Sequence, residues 1–333
     1  MIISRTPFRI SFFGGGTDYP VWYEKFGGSV INATINKYCF ITARFLPPFF
    51  DYKYRVRCYL HEEAQIVNEI KHPSVRECIK YLKLKKGIEI VHNADLPARS
   101  GLGSSSTFTV GLLNALHAIN NYMPTKRELA SQAIDIEQNF IKESVGSQDQ
   151  TAAAFGGFNK ITFNGVSDID VDPIIIKKER QFELENNLLL FFTGFSRTAS
   201  EIAKEQISVT RTKEKELKTM LEISKEGLSR LTDEKQSLDQ FGKLLDEQWK
   251  IKRSLTNKIS NKNIDEIYSA GINAGAIGGK LLGAGGGGFM LFYVSKGKQK
   301  DVINALKKKL FVPFRFEFTG SKIIYYSHED LQK

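Results

Sequence analysis

Apolar and polar positions change their rhythm several times along this chain, and each rhythm predicts a different element. Near the N-terminus, short runs rich in β-branched and aromatic residues are broken by glycine. Phe8-Arg-Ile-Ser-Phe-Phe13 runs into Gly14-Gly-Gly16, and residues 28–35 and 39–45 have the same composition, so three strands are expected there. Gly87-Ile-Glu-Ile-Val-His92 alternates as a strand does, then passes through Asn93-Ala-Asp-Leu-Pro97 into a glycine-serine loop. Beyond that loop Phe108, Leu112, Ala115, Leu116 and Ile119 recur at helical spacing. Thr125-Lys-Arg-Glu128 is a capping box, and the helix it opens is expected to reach about Glu143.

The pattern shifts near residue 180. Leu188-Leu-Leu-Phe-Phe-Thr193 reads as a short buried strand. Residues 200–260 are charge-rich and nearly free of glycine and proline. Leu217, Leu221, Leu228, Leu231, Phe241, Leu244, Leu245 and Trp249 fall at helical intervals there, predicting two or three amphipathic helices. The remainder alternates: helix 263–276, a glycine loop, strand 289–294, helix 299–310, and strands 314–318 and 322–326. The whole reads as α+β in two domains, 1–180 and 181–333, without internal repeats or low-complexity segments.

Composition narrows the class. With 41% apolar and 25% charged residues the chain can bury a core, and no apolar run approaches the ~18 residues that would span a bilayer. The N-terminus lacks the basic-then-apolar order of a secretory signal. Cys39, Cys58 and Cys78 are an odd number without CxxC spacing, as expected of free thiols in a reducing, cytoplasmic compartment. Lys and Arg outnumber Asp and Glu by 47 to 37, a net charge of +10. That balance fits either a nucleic-acid binder or an enzyme of phosphorylated substrates. The lysine-rich stretch 296–309 carries Val302, Ile303, Leu306 and Leu310 as an apolar stripe, so its lysines form a solvated helix face.

The most informative segment is Pro97-Ala-Arg-Ser-Gly-Leu-Gly-Ser-Ser-Ser-Thr107. It joins a strand to a helix, so free backbone N–H groups and the positive end of the helix converge, an arrangement that binds phosphate. A bare helix cap would account for one Ser and one Gly, but not for the run. Gly283-Ala-Gly-Gly-Gly-Gly288 satisfies GxGxxG yet leads into a strand, so it is no dinucleotide fingerprint. Gly275-Ala-Ile-Gly-Gly-Lys280 is too short for a Walker loop and has Leu281 where a metal-binding hydroxyl belongs.

Residues 5–18, 97–107 and 280–289 resemble, in the same order, the three signatures of the GHMP kinases (galactokinase, homoserine kinase, mevalonate kinase, phosphomevalonate kinase). The resemblance spans essentially the full chain. It implies a two-domain GHMP kinase fold, with a ribosomal protein S5 domain 2-like N-terminal domain and a ferredoxin-like C-terminal domain. It also implies ATP and Mg²⁺ as cofactors. By this resemblance Pro97, Ser100, Gly101, Leu102, Gly103, Ser104, Ser105 and Ser106 form the ATP loop, while Ser105 and Glu137 are the Mg²⁺ ligands.

Glu137 falls beside the packing face of its helix, where a carboxylate is costly unless it is paired, at the helix rim, or metal-bound. Gly146-Ser-Gln-Asp149-Gln resembles the galactokinase segment whose Asp accepts the proton of the attacking hydroxyl. Arg9 matches the arginine of the Pro-x-Arg signature that partners it. Asp18 resembles a sugar-binding Asp; galactokinases read Gly-Glu-His-Thr-Asp where this chain reads Gly14-Gly15-Gly16-Thr17-Asp18. By this resemblance Gly15, Gly16 and Thr17 are expected to meet the substrate beside Asp18, the two glycines opening space and exposing backbone N–H groups. That glycine run, with Phe192-Thr-Gly-Phe-Ser-Arg197-Thr-Ala-Ser200, is similar to family members that phosphorylate the anomeric hydroxyl of a heptose 7-phosphate. Arg197 is then either a substrate contact or a plain surface arginine. The expected partner is a small-molecule sugar phosphate, with no nucleic acid and no membrane. Another sugar 1-kinase, such as an L-fucokinase-like enzyme, remains an alternative, as more distantly does a non-catalytic nucleic-acid-binding relative.

Overall fold

The computed structural model describes residues 1–165, 168–194 and 199–327. Its strands are β1 (Ile2–Phe13), β2 (Gly28–Phe45), β3 (Tyr54–Arg57), β4 (His61–Ala64), β5 (Ile88–Ala94), β6 (Phe158–Phe163), β7 (Ile169–Pro173), β8 (Leu188–Phe192), β9 (Gly278–Leu281), β10 (Phe289–Tyr293), β11 (Leu310–Phe311) and β12 (Lys322–Tyr326). They form two sheets. The eight-stranded sheet runs β12-β1-β2-β5-β3-β4, with β6 also on β2 and β7 on β6. The four-stranded antiparallel sheet runs β11-β8-β10-β9. Taken in chain order that is 4-1-3-2, the split βαβ arrangement of a ferredoxin-like domain.

Residues 28–45 form one strand rather than two, and the expected break has a cause. The first half of β2 pairs with β6 and the second half with β5, so the polar Asn36-Lys37 midpoint belongs to neither ladder. The helix Ser104–Ile119 packs on β1 and β2 and is buried on nearly every side, Asn114 and His117 included. Phe241, on the helix Asp239–Arg253, meets Phe12 and Phe13 of β1 edge-on at 5.5 and 4.9 Å and joins the two sheets through one core.

Four expectations change. The helix opened by the capping box runs Lys126–Asp135 and then widens into a π-turn, Ile136–Phe140, ending before Glu143. Residues 278–281, expected within a loop, form β9. Gly278 is required there because the helix Asp239–Arg253 lies so close that a Cβ would collide with the Gly242 carbonyl. The helix expected over 299–310 stops at Ala305, which frees Leu310–Phe311 to pair with β8. Residues 314–318 make only a single bridge, Phe316 to Ile35, although 322–326 is the expected strand.

Strands β1–β7 lie in the first sheet and β8–β11 in the second, and one strand crosses back. β12 returns to pair antiparallel with β1 in the first sheet. The approach is pinned by Thr34 Oγ1 donating to Glu317 O at 2.6 Å and by Ser321 Oγ bonding Thr6 Oγ1 at 2.8 Å. Cys39, Cys58 and Cys78 are all free, and among the described residues no helix is long and apolar enough to cross a membrane.

Candidate active site

All three glycine loops converge on a cleft of about 250 Å³. A larger cavity of about 560 Å³ lies at the outer edge of the first sheet, beside Met1 and Lys83, but among the described residues neither a carboxylate nor a glycine loop lines it.

The second loop ends at Gly103, in the left-handed conformation at φ 78°, and the helix Ser104–Ile119 begins with no side-chain cap. Its first-turn N–H groups are therefore free to face the cleft, as an anion site requires. The second and third loops also hold one another. A Cβ on Gly283 would lie 2.5 Å from Gly101 Cα, and one on Gly101 would lie 2.5 Å from Leu282 O. Those glycines permit close backbone contact between the loops as well as backbone freedom within them. Gly101, Gly103, Ser104, Ser105 and Ser106 line the cleft. Pro97 is exposed at the approach turn, Ser100 is buried, and Leu102 is a core residue whose carbonyl accepts from Arg9 N.

Arg9 and Asp149 meet as a pair. Arg9 Nε donates to Asp149 Oδ1 at 2.7 Å and a terminal nitrogen lies 2.6 Å from the same oxygen, while Arg9 also donates to Gly101 O at 2.9 Å. Arg9 is 4% exposed and the Asp149 side chain 27%, so the arginine is fixed and the carboxylate faces the cleft. Asp149 sits in the first turn of the helix Gln148–Phe155, where the helix dipole favours negative charge. Ser11 Oγ donates to Gln148 Oε1 at 2.6 Å and steadies that turn.

Asp18 approaches from the first loop and accepts from Gly16 N at 2.8 Å. Burial raises its pKa above the usual carboxylate value. A Cβ on Gly146 would run into Asp18 Oδ2, which explains the glycine that opens the Asp149 segment. Gly15 faces open space, its nearest neighbour for a Cβ being Ser11 Oγ at 3.8 Å. Thr17 does not face the cleft: fully buried, it donates to Gly14 O at 2.8 Å and accepts from Ser29 N, holding the loop together. Arg197 lies outside the described residues.

Glu137, on the π-turn, lies directly behind the loop and is completely buried. Its Oε2 accepts from Ser106 Oγ at 2.7 Å and from Gln150, whereas Oε1 has no partner. Burial pushes its pKa up to about 7, against the opposing pull of the Ser106 and Gln150 donors and of the Thr109 hydroxyl, which itself donates to Ser105 O at 3.3 Å. An unpartnered buried carboxylate oxygen beside a serine-rich loop fits a hard cation, and Mg²⁺ needs only one or two protein carboxylates when phosphates complete its shell. The serine bonded to Glu137 is Ser106; Ser105 stands exposed at the cleft one residue earlier.

Two cations in the cleft were given no role by the sequence, although Lys280 opens the third glycine-rich signature. Lys280 lies on β9 and Lys252 near the end of the helix Asp239–Arg253, and both are buried. Burial brings Lys252 down to about 8, and it lowers Lys280 much further, with Lys252 and Arg9 adding to the effect. In sequence Lys252 is one cation of a Lys-Ile-Lys-Arg run at a helix end, and Lys280 was hidden by the reading of its strand as a loop.

Two family patterns match the chain: the GHMP kinases N terminal domain over residues 71–157 and the GHMP kinases C terminal domain over 224–312. A D-glycero-alpha-D-manno-heptose 7-phosphate kinase from Campylobacter jejuni is 33% identical, over 96% of both chains. The chain belongs to the GHMP kinase family. As a GHMP kinase it is a phosphotransferase that takes an alcohol group as acceptor, built on the two-domain fold of that family. A D-glycero-D-manno-heptose 1-phosphate kinase from Bacteroides thetaiotaomicron superposes with a TM-score of 0.80 at 25% identity, covering 98% of this chain and all of that one. A galactokinase from Pyrococcus furiosus is 25% identical over 95% of each chain.

Proposed function

We propose that this GHMP kinase transfers the γ-phosphoryl of ATP to the anomeric hydroxyl of D-glycero-D-manno-heptose 7-phosphate, giving the 1,7-bisphosphate. The observation that carries the reading is the Arg9–Asp149 pair, placed between the uncapped helix after Gly103 and the acidic side chain of Asp18. The similarity to the Campylobacter heptose 7-phosphate kinase supports the choice of sugar.

The residues divide the work. The backbone of residues 101–106 and the helix end receive the ATP phosphates. Asp18 takes a sugar hydroxyl, and Gly15 leaves room for the ring. Asp149 accepts the proton of the attacking hydroxyl, and Arg9 holds that carboxylate in place. Glu137, with the hydroxyls of Ser105 and Ser106, holds Mg²⁺. When bound, the ion neutralises phosphate charge, which together with positioning is most of what phosphoryl transfer through a loose transition state demands.

A coupled assay for ADP release over a panel of sugars and sugar phosphates tests the assignment. Heptose 7-phosphate should give the highest kcat/KM, at least about a hundredfold above L-fucose, galactose and unphosphorylated heptose. Preference for L-fucose would make the enzyme a fucokinase-like sugar 1-kinase instead.

A further inference from the structure

Lys252 is a buried cation that makes no direct ion pair among the described residues, although the charges of Asp18 and Asp149 favour its protonated form. Its helix neighbours Lys250 and Arg253 point outward and pair with Asp246 and Asp265 at 2.7 and 2.8 Å. Lys252 turns into the cleft, is 5% exposed, and makes no ion pair among the described residues. Its ammonium donates to Gly283 O at 2.6 Å. An ammonium carries three N–H groups, so that bond leaves donor capacity directed into the cleft.

The surrounding charges are already committed. Arg9 and Asp149 neutralise one another, and Lys280 Nζ donates to Phe12 O at 2.8 Å. Asp18 accepts from its own loop and, like Lys252, pays for its burial with a pKa displaced toward the neutral form. A buried ammonium without a counter-ion is unfavourable unless a ligand supplies the negative charge. Position identifies that charge. Gly283, to which Lys252 is tied, packs on Gly101 of the ATP loop, while Asp149 and Asp18 lie on the acceptor side. The ammonium therefore stands where the phosphoryl group would cross from donor to acceptor.

We propose that Lys252 is a further catalytic residue: its ammonium binds the γ-phosphoryl oxygens of ATP and stays with them through the transfer. The inference rests on the kinase reading above. In the step, the bond from the γ-phosphorus to its bridging oxygen breaks and a bond to the anomeric oxygen forms. The hydroxyl proton passes to Asp149, and Lys252 keeps its own protons throughout.

Calorimetry on the full chain with Mg²⁺, titrating ADP or the non-hydrolysable AMP-PNP, separates the possibilities without depending on the sugar. Lys252→Met should lose about tenfold or more in AMP-PNP affinity, the usual worth of a charge-assisted hydrogen bond, with ADP affinity changed less than threefold. Its melting temperature should not fall, because an unpaired buried charge has been removed. Lys252→Arg should keep AMP-PNP affinity within about fivefold. Equal loss of both nucleotides with a lowered melting temperature would make Lys252 a strut for Gly283 and overturn the proposal. Unchanged affinity for both would overturn it as well. Weaker heptose 7-phosphate binding with intact AMP-PNP binding would overturn it too, by assigning the ammonium to the acceptor's own phosphate. If Lys252→Met did not fold, Lys252→Gln, which keeps a donor for Gly283 O, should show the same split, and equal effects would again overturn the proposal. A parent protein that bound neither nucleotide would refute the kinase reading, and this inference with it.

Discussion

Glu137→Gln offers a test in which the structure sets both sign and size. The carboxyl is wholly buried and its pKa is raised from 4.5 to about 7. Between those values the folded protein holds a proton that the unfolded chain has released. Stability from this group is therefore fully present below pH 4.5 and is lost as pH rises through about 7. At about 1.4 kcal/mol per pH unit, the loss across that window amounts to about 3 kcal/mol. The amide cannot titrate and nearly matches the carboxyl in volume, so the variant should escape this loss. Urea unfolding of both proteins in chelator, from pH 4.5 to 8, isolates the effect, because every other titrating group cancels in the difference. The variant should gain about 3 kcal/mol on the parent between the two ends. Adding Mg²⁺ and ADP at pH 8 should then stabilise the parent more than the variant, since only the parent offers a carboxylate to the ion. A difference between variant and parent that stayed flat within about 1 kcal/mol would mean that Glu137 stays ionised when buried, and the reasoning from burial would be wrong.

Asp149→Asn should lower kcat by ~10²–10⁴, with ATP affinity nearly unchanged; steady-state kinetics within threefold of the parent would leave Asp149 a mere helix-start residue. Arg9→Met should also lower kcat steeply, and the double variant should lose far less than the product of the two singles, since the two side chains act as one ion pair. Gly103→Val should abolish nucleotide binding by calorimetry. The position has φ 78°, and even a Cβ would sit 3.3 Å from the Asp149 carboxyl and 3.5 Å from Arg9 Cγ. Gly15→Ala should raise KM for the sugar severalfold without lowering the melting temperature, because the fold has room for the methyl group and only the acceptor would compete for it.

Elements with a strong local rhythm were legible in the sequence: β8, the start of the capped helix at Thr125 and the long helices between 199 and 253 stand where periodicity places them, and β1 contains the expected strand and extends it back to Ile2. So was the grouping of Arg9, Asp18 and Asp149, whose side chains line one cleft although more than a hundred residues separate Arg9 from Asp149. What stayed hidden depends on partners remote in sequence. β9 is a strand because β10 pairs with it, and its glycines answer to close neighbours, Gly278 to the helix Asp239–Arg253 and Gly279 to Leu291 and Phe292 of β10, so local composition reads as loop. Thr17 was expected to meet substrate, but a threonine in a glycine-rich turn serves the turn or a ligand equally well, and only the position of Ser29 decides. Lys252 resembles its solvent-facing neighbours until the helix orientation is known.

The return of β12 to β1 has a consequence for biosynthesis. As the chain leaves the ribosome, most of the first sheet is available long before residues 322–326 exist. During that interval β1 is an open edge, carrying unpaired N–H and C=O groups and able to recruit strands from other nascent chains. Thr6, Thr34 and Asn114 likewise await the partners that Glu317 and Ser321 supply. The first sheet is therefore sealed only after the strands of the second sheet have been made. Premature termination anywhere after the second sheet would leave a nearly complete enzyme with an adhesive flank, prone to aggregation rather than simply less active.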